Sequence, residues 1–260
     1  MPPNPGRLAP ILRVWGMIWF SICLHWETLL QVIRRDGLGA LGRPQQIRDA
    51  ASAKLLSINS NGFIAYEDTT IVPSLVRAAN GVILELGPGP GNQIHRFDAS
   101  AIRHIYGVEP NLHYRGNISA ALEKNGLQDK YTLLACGIED SDVLREKGVT
   151  EGSLDAVLSI QVLCAVKDPR SIMKEVWKLL KPGGKFIFWE HGSSRNHLTS
   201  LTQACLNPAW STFVGCELTR NVLADILNSG EWENPHEIEE PEDPISLLPR
   251  IQGVLIKKQN

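Results

Sequence analysis

Val82-Ile83-Leu84-Glu85-Leu86-Gly87-Pro88-Gly89-Pro90-Gly91 decides the fold. A short apolar run ends directly in three glycines at spacing two. A run that is apolar on both faces reads as a strand buried inside a parallel sheet. The glycines let the chain turn sharply and bring backbone close to a ligand with no Cβ between them. Pro88 and Pro90 stiffen that turn. Alone, the turn is a weak signal: dinucleotide-binding enzymes carry relatives of it, and the stricter G-x-G-x-x-G spacing is absent.

Downstream, similar runs recur at Ile105–Glu109, Tyr131–Cys136, Leu154–Ile160 and Lys185–Glu190, with a terminal strand at Ile251–Lys257. Helix-like stretches lie between them at Gln93–Phe97, Leu112–Lys124, Asp142–Lys147 and Pro169–Leu180. Asp168-Pro169 starts the last of these and Lys181-Pro182-Gly183-Gly184 stops it. A further helix is expected near Leu218–Asn228 with Thr219 as its N-cap, and the Pro- and acid-rich stretch 234–250 reads as a loop. Strand–helix alternation of this kind predicts an α/β, doubly wound sheet. Ligands of such sheets bind beyond the carboxyl ends of the strands, where the strand order reverses. That rule gathers the Gly87–Gly91 turn, Glu109, the Cys136-Gly137-Ile138-Glu139 corner and Gln161. A carboxylate at 109 suits the two hydroxyls of a ribose. The 136–139 corner suits an adenine, with Glu139 or a backbone group at its amino nitrogen.

Upstream, Pro2, Pro3 and Pro5 make a poor helix start, and the extreme N-terminus reads as disordered. Residues 11–35 are apolar and Trp-rich. The uncharged run Val14–Leu24 has 11 residues, and a membrane span needs about 20. At helical pitch, Ile11, Trp15, Ile18, Trp19, Ile22, Trp26, Leu29, Leu30 and Ile33 share one face. Two readings stand: a helix lying in the plane of a membrane, its indoles at the interface, or a helix packed on the main domain as a cover. Residues 1–40 are therefore one unit and 41–80 a helical cover, followed by the α/β domain at 81–260.

The chain has 260 residues, 43% hydrophobic, with 26 Lys+Arg against 28 Asp+Glu. A net charge of -2 leaves no basic excess for coating a nucleic-acid backbone. The mean hydropathy of -0.10 excludes a polytopic membrane protein. Cysteines at 23, 136, 164, 205 and 216 form no C-x-x-C pair. No metal site is expected from their spacing, and reduced thiols in a cytosol-facing protein are the simpler reading.

Glu85–Gly91, Glu109, Gly137-Ile138-Glu139, Ser153-Leu154-Asp155 and Leu179–Gly184 together resemble the class I S-adenosylmethionine-dependent methyltransferases. Val162–Val166, Phe188-Trp189-Glu190-His191, Pro208-Ala209-Trp210 and Gly215–Arg220 resemble more narrowly the group that methylates small-molecule thiols and alcohols. The resemblance spans about residues 75–258. It departs in the Gly-Pro-Gly-Pro-Gly loop, where relatives often have Gly-Cys-Gly-Thr-Gly, and in Glu109, where they have Asp. It implies a Rossmann-like, mostly parallel sheet of seven strands, the last antiparallel, with an N-terminal helical extension. It implies S-adenosylmethionine as cofactor: Gly87, Gly89 and Gly91 against the methionine part and Glu85 orienting loop or amino group. Glu109 would then hold the ribose, Ile138 and Glu139 border adenine, and Gln161 face the sulfonium.

His191, closing the fifth strand, is the candidate general base, with a structural histidine as its rival reading. Cys164 reads as a core residue. Trp189, Trp210 and Phe213 are candidates for an apolar acceptor pocket. The expected reaction is methyl transfer to an oxygen of a small apolar acceptor such as a polyketide or other secondary metabolite. Thiol methylation is the alternative, and a cofactor-binding pericyclase or scaffold a further one. The expected setting is the cytoplasm, at the cytosolic face of an internal membrane if residues 11–35 bind one.

Overall fold

The structure, a computed structural model, describes residue 6 and residues 8–259. The expected disorder at Pro2, Pro3 and Pro5 lies outside the described residues. Three helices come first: α1 (Leu8–Asp36), α2 (Pro44–Glu67) and α3 (Val72–Arg77). The sheet region follows as β1 (Gly81–Leu86), β2 (Ile102–Val108), α4 (Arg115–Asn125), β3 (Tyr131–Leu134), α5 (Ser141–Glu146) and β4 (Leu154–Ile160). It continues with α6 (Pro169–Leu179), β5 (Leu180–His191), α7 (His197–Phe213), α8 (Val222–Leu227) and β6 (Arg250–Ile256).

The strand order is β3-β2-β1-β4-β5-β6, parallel except for β6. The chain builds outward from β1 in one direction, then crosses back to β4. The reversal therefore falls between β1 and β4, and the Gly87–Gly91 turn sits at that point. Both sheet faces are buried. Leu84, Val157, Phe186 and Phe188 pack with α6 and α8 residues on one side. Ile83, Ile105, Leu158 and Ile187 pack with α3 and α4 residues on the other. This two-sided burial is why the strands read as continuous apolar runs rather than alternating ones.

Six strands stand where seven were expected. The stretch that lies outside β6 makes only two isolated bridges among the described residues, Trp232 with Lys257 and Glu239 with Gln252. Between them Pro235 starts a tight 3₁₀ turn, Pro235–Glu237. Proline has no N–H to give a ladder, so pairing cannot run through. Two smaller corrections concern helices. Residues 93–97 form a 3₁₀ turn at Ile94–Arg96 rather than a helix. The helix expected near Leu218 begins at Val222, because Asn221, not Thr219, caps it by accepting from the Ala224 amide. The α6 start is as read: the Asp168 side chain accepts from the Ser171 amide at 3.2 Å, with Pro169 in the first turn.

In α1 the buried face is Val14, Ile18, Ser21, Leu24 and Thr28. Val14 and Ile18 pack with Leu206, Trp210, Leu218 and Leu247. Ser21 Oγ donates to the Phe213 carbonyl at 2.5 Å, pinning α1 to the end of α7. Of the apolar stripe read from the sequence, Ile18 turns inward, whereas Trp15, Trp19 and Trp26 are 51%, 67% and 62% exposed. The stripe is thus split between a packed seam and an outward indole face. By length and composition alone α1 is also long and apolar enough to cross a membrane.

Candidate functional site

The first, second and third loop glycines have φ of 51°, 54° and 84°, a region glycine enters freely. They are not equivalent. A Cβ on Gly87 would press on Val162, and one on Gly91 on Ile94. A Cβ on Gly89 would meet nothing nearer than the Gly87 carbonyl at 4.0 Å. The middle glycine therefore turns its bare face to open space, a cradle for a ligand that a side chain would fill.

Glu109 follows β2 and is 8% exposed. One carboxylate oxygen accepts from the Gly89 amide at 3.1 Å and the other from the Asn111 amide at 2.9 Å. Each oxygen keeps a lone pair, so the group is oriented yet still able to receive two hydroxyls. Burial pushes its pKa up, against the pull of those two amides. Glu85, at the end of β1, is 2% exposed. Tyr131 donates to its Oε2 at 2.7 Å, and its Oε1 has no partner. Burial pushes the Glu85 carboxyl up to about 7; the Tyr131 hydrogen bond opposes this and the Glu109 charge adds to it. A buried, orphaned carboxylate oxygen beside the glycine turn fits a cationic or ammonium-bearing ligand.

Gln161, just past β4, has φ 60° and is the only non-glycine with positive φ among the described residues. Such strain costs about 1–3 kcal/mol and persists only where neighbours enforce it. Here they do. Its N–H donates to the Trp189 carbonyl at 2.9 Å. Its side-chain amide donates to Glu67 at 3.1 Å and accepts from Arg250 at 3.0 Å. Glu190, fully buried, accepts from Ser159 Oγ and from the Val162 and Leu163 amides at 2.7, 2.9 and 3.1 Å, fixing the turn that follows Gln161.

Sequence reading missed α2's part. Glu67 accepts from Gln161, from Gln93 at 3.0 Å and from Arg96 at 2.7 Å. Near the start of α2 the Asp49 carbonyl accepts from Asn111, and further along Ser60 donates to Asn92. The helix thus bridges the ends of β2, β1 and β4, above the glycine turn. No local pattern marks Glu67 for this, since its partners are distant in sequence.

Glu85, Gly87, Gly89, Gly91, Glu109 and Gln161 all meet at this edge. Ile138 is 4% exposed and packs into the core with Leu86 and Val108. Glu139 is exposed and its carboxyl folds back on Gly137, leaving no room there for a Cβ. His191 is 2% exposed; its Nε2 lies 3.5 Å from Cys216 Sγ and its Nδ1 has no partner. Trp210 Nε1 donates to the same sulfur at 3.0 Å. Cys164 completes the cluster, the three ligand-type atoms lying within 4.8 Å of one another. Trp210 and Phe213 serve the α1–α7 seam, while Trp189 lies beneath the Arg250 guanidinium at 3.8 Å. A hollow of about 290 Å³ is lined by Ile71, Trp189 and Leu248 and by the polar Asp243, Ser246 and Arg250, the last of which donates to Gln161. A larger groove of about 570 Å³ lies between α1, α2 and His113, away from Gln161.

Residues 84–188 match a family described as a methyltransferase domain. The thiol S-methyltransferase TMT1B of Rattus norvegicus is 30% identical over 184 residues, covering 67% of this chain and 70% of its own length. Its Homo sapiens counterpart is 30% identical over 181 residues, with the same two coverages. Among solved structures, an O-methyltransferase family protein from Burkholderia thailandensis matches with a TM-score of 0.57 and 15% identity, over 96% of this chain and 71% of that one. That likeness is one of fold. With the glycine turn, Glu109 and the sheet order already in place, these matches settle the family: the chain belongs to the class I S-adenosylmethionine-dependent methyltransferases.

Proposed function

We propose that this chain methylates the sulfur of a small, apolar thiol, working at a membrane surface. The observation that carries the reading is the likeness over two thirds of the chain to thiol S-methyltransferases. S-adenosylmethionine brings an activated methyl group when bound. Gly87, Gly89 and Gly91 would hold its methionine portion, Glu109 its ribose, and Ile138 and Glu139 would border its adenine, with Glu85 behind the glycine turn and Gln161 towards the sulfonium. What remains for the protein is alignment, exclusion of water and management of one proton. An unperturbed thiol has a pKa near 8.5, so about a few per cent is already thiolate at neutral pH and no strong base is required. The hollow walled by Trp189, Ile71 and Leu248 gives the acceptor apolar contacts, with Arg250, Asp243 and Ser246 as its polar walls. The outward indoles of α1 suit an interfacial position on the cytosolic side, where apolar acceptors concentrate.

Oxygen methylation is the second reading, with His191, buried at the end of β5 and unpartnered at Nδ1, as the candidate base for an alcohol or enol proton. A matched set of acceptors separates the two: an apolar thiol, the alcohol of the same skeleton and a phenol of similar size. Purified protein and S-adenosylmethionine should add one methyl to the thiol alone, read by product mass. Methylation of the phenol with an untouched thiol overturns the sulfur reading.

A further inference from the structure

Cys164, His191 and Cys216 come from three separate segments, the turn after β4, the end of β5 and the loop after α7. The fold brings the sulfurs of Cys164 and Cys216 and one ring nitrogen of His191 within 4.8 Å of one another. Cys164 and His191 are each 2% exposed, Cys216 partly so. Zinc binds thiolate sulfur at about 2.3 Å and imidazole nitrogen at about 2.0–2.1 Å, so a tetrahedral S–Zn–N edge is about 3.6 Å long. The Cys216 Sγ to His191 Nε2 separation is 3.5 Å. An indole N–H donated to a sulfur, as Trp210 does to Cys216, is the kind of outer hydrogen bond that steadies a metal-bound thiolate. Two sulfurs and one imidazole make a three-ligand set. Structural zinc sites close with four protein ligands, whereas catalytic ones keep the fourth position open.

We propose that Cys164 Sγ, His191 Nε2 and Cys216 Sγ bind one zinc ion, whose open fourth position takes the acceptor thiol as its thiolate. The second half rests on the sulfur-transfer reading above; the first does not. Cys164 lies three residues from Gln161, with its sulfur 3.8 Å from the Gln161 carbonyl. Arg250, opposite His191 in the β5–β6 register, lines the hollow. The cluster and the hollow thus have Gln161 and Arg250 as their common neighbours. On binding zinc the acceptor gives its thiol proton to solvent. Its sulfur then forms the new bond to the methyl carbon while that carbon's bond to the sulfonium sulfur breaks. The electron pair stays on the latter sulfur, leaving S-adenosylhomocysteine and a neutral thioether, which is a weak zinc ligand and departs.

The test uses the full chain, purified without a polyhistidine tag or chelator. Elemental analysis should find about one zinc per chain, and competition with a chromophoric chelator should report its affinity. Cys164→Ser and Cys216→Ser should weaken zinc by more than about tenfold, the smaller loss typical even of outer partners. Cys205→Ser, an exposed cysteine outside the cluster, should retain it. Cobalt substituted for zinc should show a thiolate charge-transfer band, and its visible bands should shift when an apolar thiol is added but not with the matching alcohol. Wild-type protein that binds S-adenosylhomocysteine yet takes up neither metal, or that carries a Cys164–Cys216 disulfide instead, overturns the site. Cobalt bands unmoved by thiols overturn the acceptor's place on it. Zinc bound without thiol turnover leaves the site standing and removes only the proposed reaction.

Discussion

Glu85 is 2% exposed, takes one hydrogen bond and leaves Oε1 unpaired. Its folded pKa, raised by burial to about 7 from 4.5, sets a sign. Protonated, the group costs the fold little; ionised, it must be desolvated. Its contribution is fully present below about pH 4.5 and is lost as pH rises through about 7. Glu85→Gln keeps the acceptor for Tyr131 without the charge. Relative to wild type, the ligand-free variant should gain up to about 3 kcal/mol between pH 4.5 and pH 8. Urea unfolding at both ends of that range measures it, and a pH-independent difference contradicts the buried-charge account. Glu109 is also buried and its pKa also raised, but two backbone amides already orient its carboxylate. Glu109→Ala should weaken S-adenosylhomocysteine by about 1–3 kcal/mol by calorimetry. A folded variant of unchanged affinity removes the ribose role. Glu109 was legible because it closes an apolar run, and the glycines because they follow one. Glu67 and Arg250 were not, since each acts through Gln161 from a far part of the chain and neither breaks a local pattern.

The helix α1 has two faces, and each can be tested. In α1, Ile18 is fully buried against the α7 seam, so Ile18→Ala should cost about 2–5 kcal/mol of stability by chemical unfolding. Trp15 and Trp19 are exposed. Replacing both with Ala should leave stability within about 0.5 kcal/mol while lowering co-flotation with anionic lipid vesicles. Unchanged flotation leaves α1 as a packing helix only. Periodicity revealed that this helix is amphipathic but not which part of its wide apolar arc faces the protein. Val14 and Ser21 lie on the packed seam because α7 meets them there, Val14 among Leu206 and Trp210 and Ser21 at the Phe213 carbonyl. The strands were legible for the opposite reason: burial on both sides leaves no face to choose. The α7 helix escaped notice because Pro208 sits inside it, an ordinary signal for a break. The missing seventh strand has a related cause in Pro235, which interrupts pairing beside β6.

At the scale of the whole molecule, the sheet order and α2 solve one problem together. The reversal between β1 and β4 opens a crevice at the carboxyl edge of the sheet. A ligand there needs walls on the solvent side, which strands cannot supply. α2 supplies them by docking on three strand ends: Asp49 with Asn111, Ser60 with Asn92, and Glu67 with Gln161 and Arg96. The Arg96–Glu67 pair is almost wholly buried, at 2% and 3% side-chain exposure. Breaking it from one side leaves a buried charge without its partner. These docking bonds join residues that the proposed assignment gives to the cofactor: Asn111 donates to Glu109, and Gln161 would face the reacting end. Cofactor and cover therefore stabilise the same arrangement, and occupancy should be felt along α2. Ligand at 100 times its dissociation constant stabilises the folded state by about 2.7 kcal/mol. Hydrogen exchange can show where that energy falls. With saturating S-adenosylhomocysteine, amides of residues 49–67 and 87–91 should exchange more slowly, whereas α5 and α8, which make none of these bonds, should change little. Protection confined to residues 87–91 and 109–111, with α2 unaffected, means that the helix is a passive neighbour and that the crevice closes by some other element.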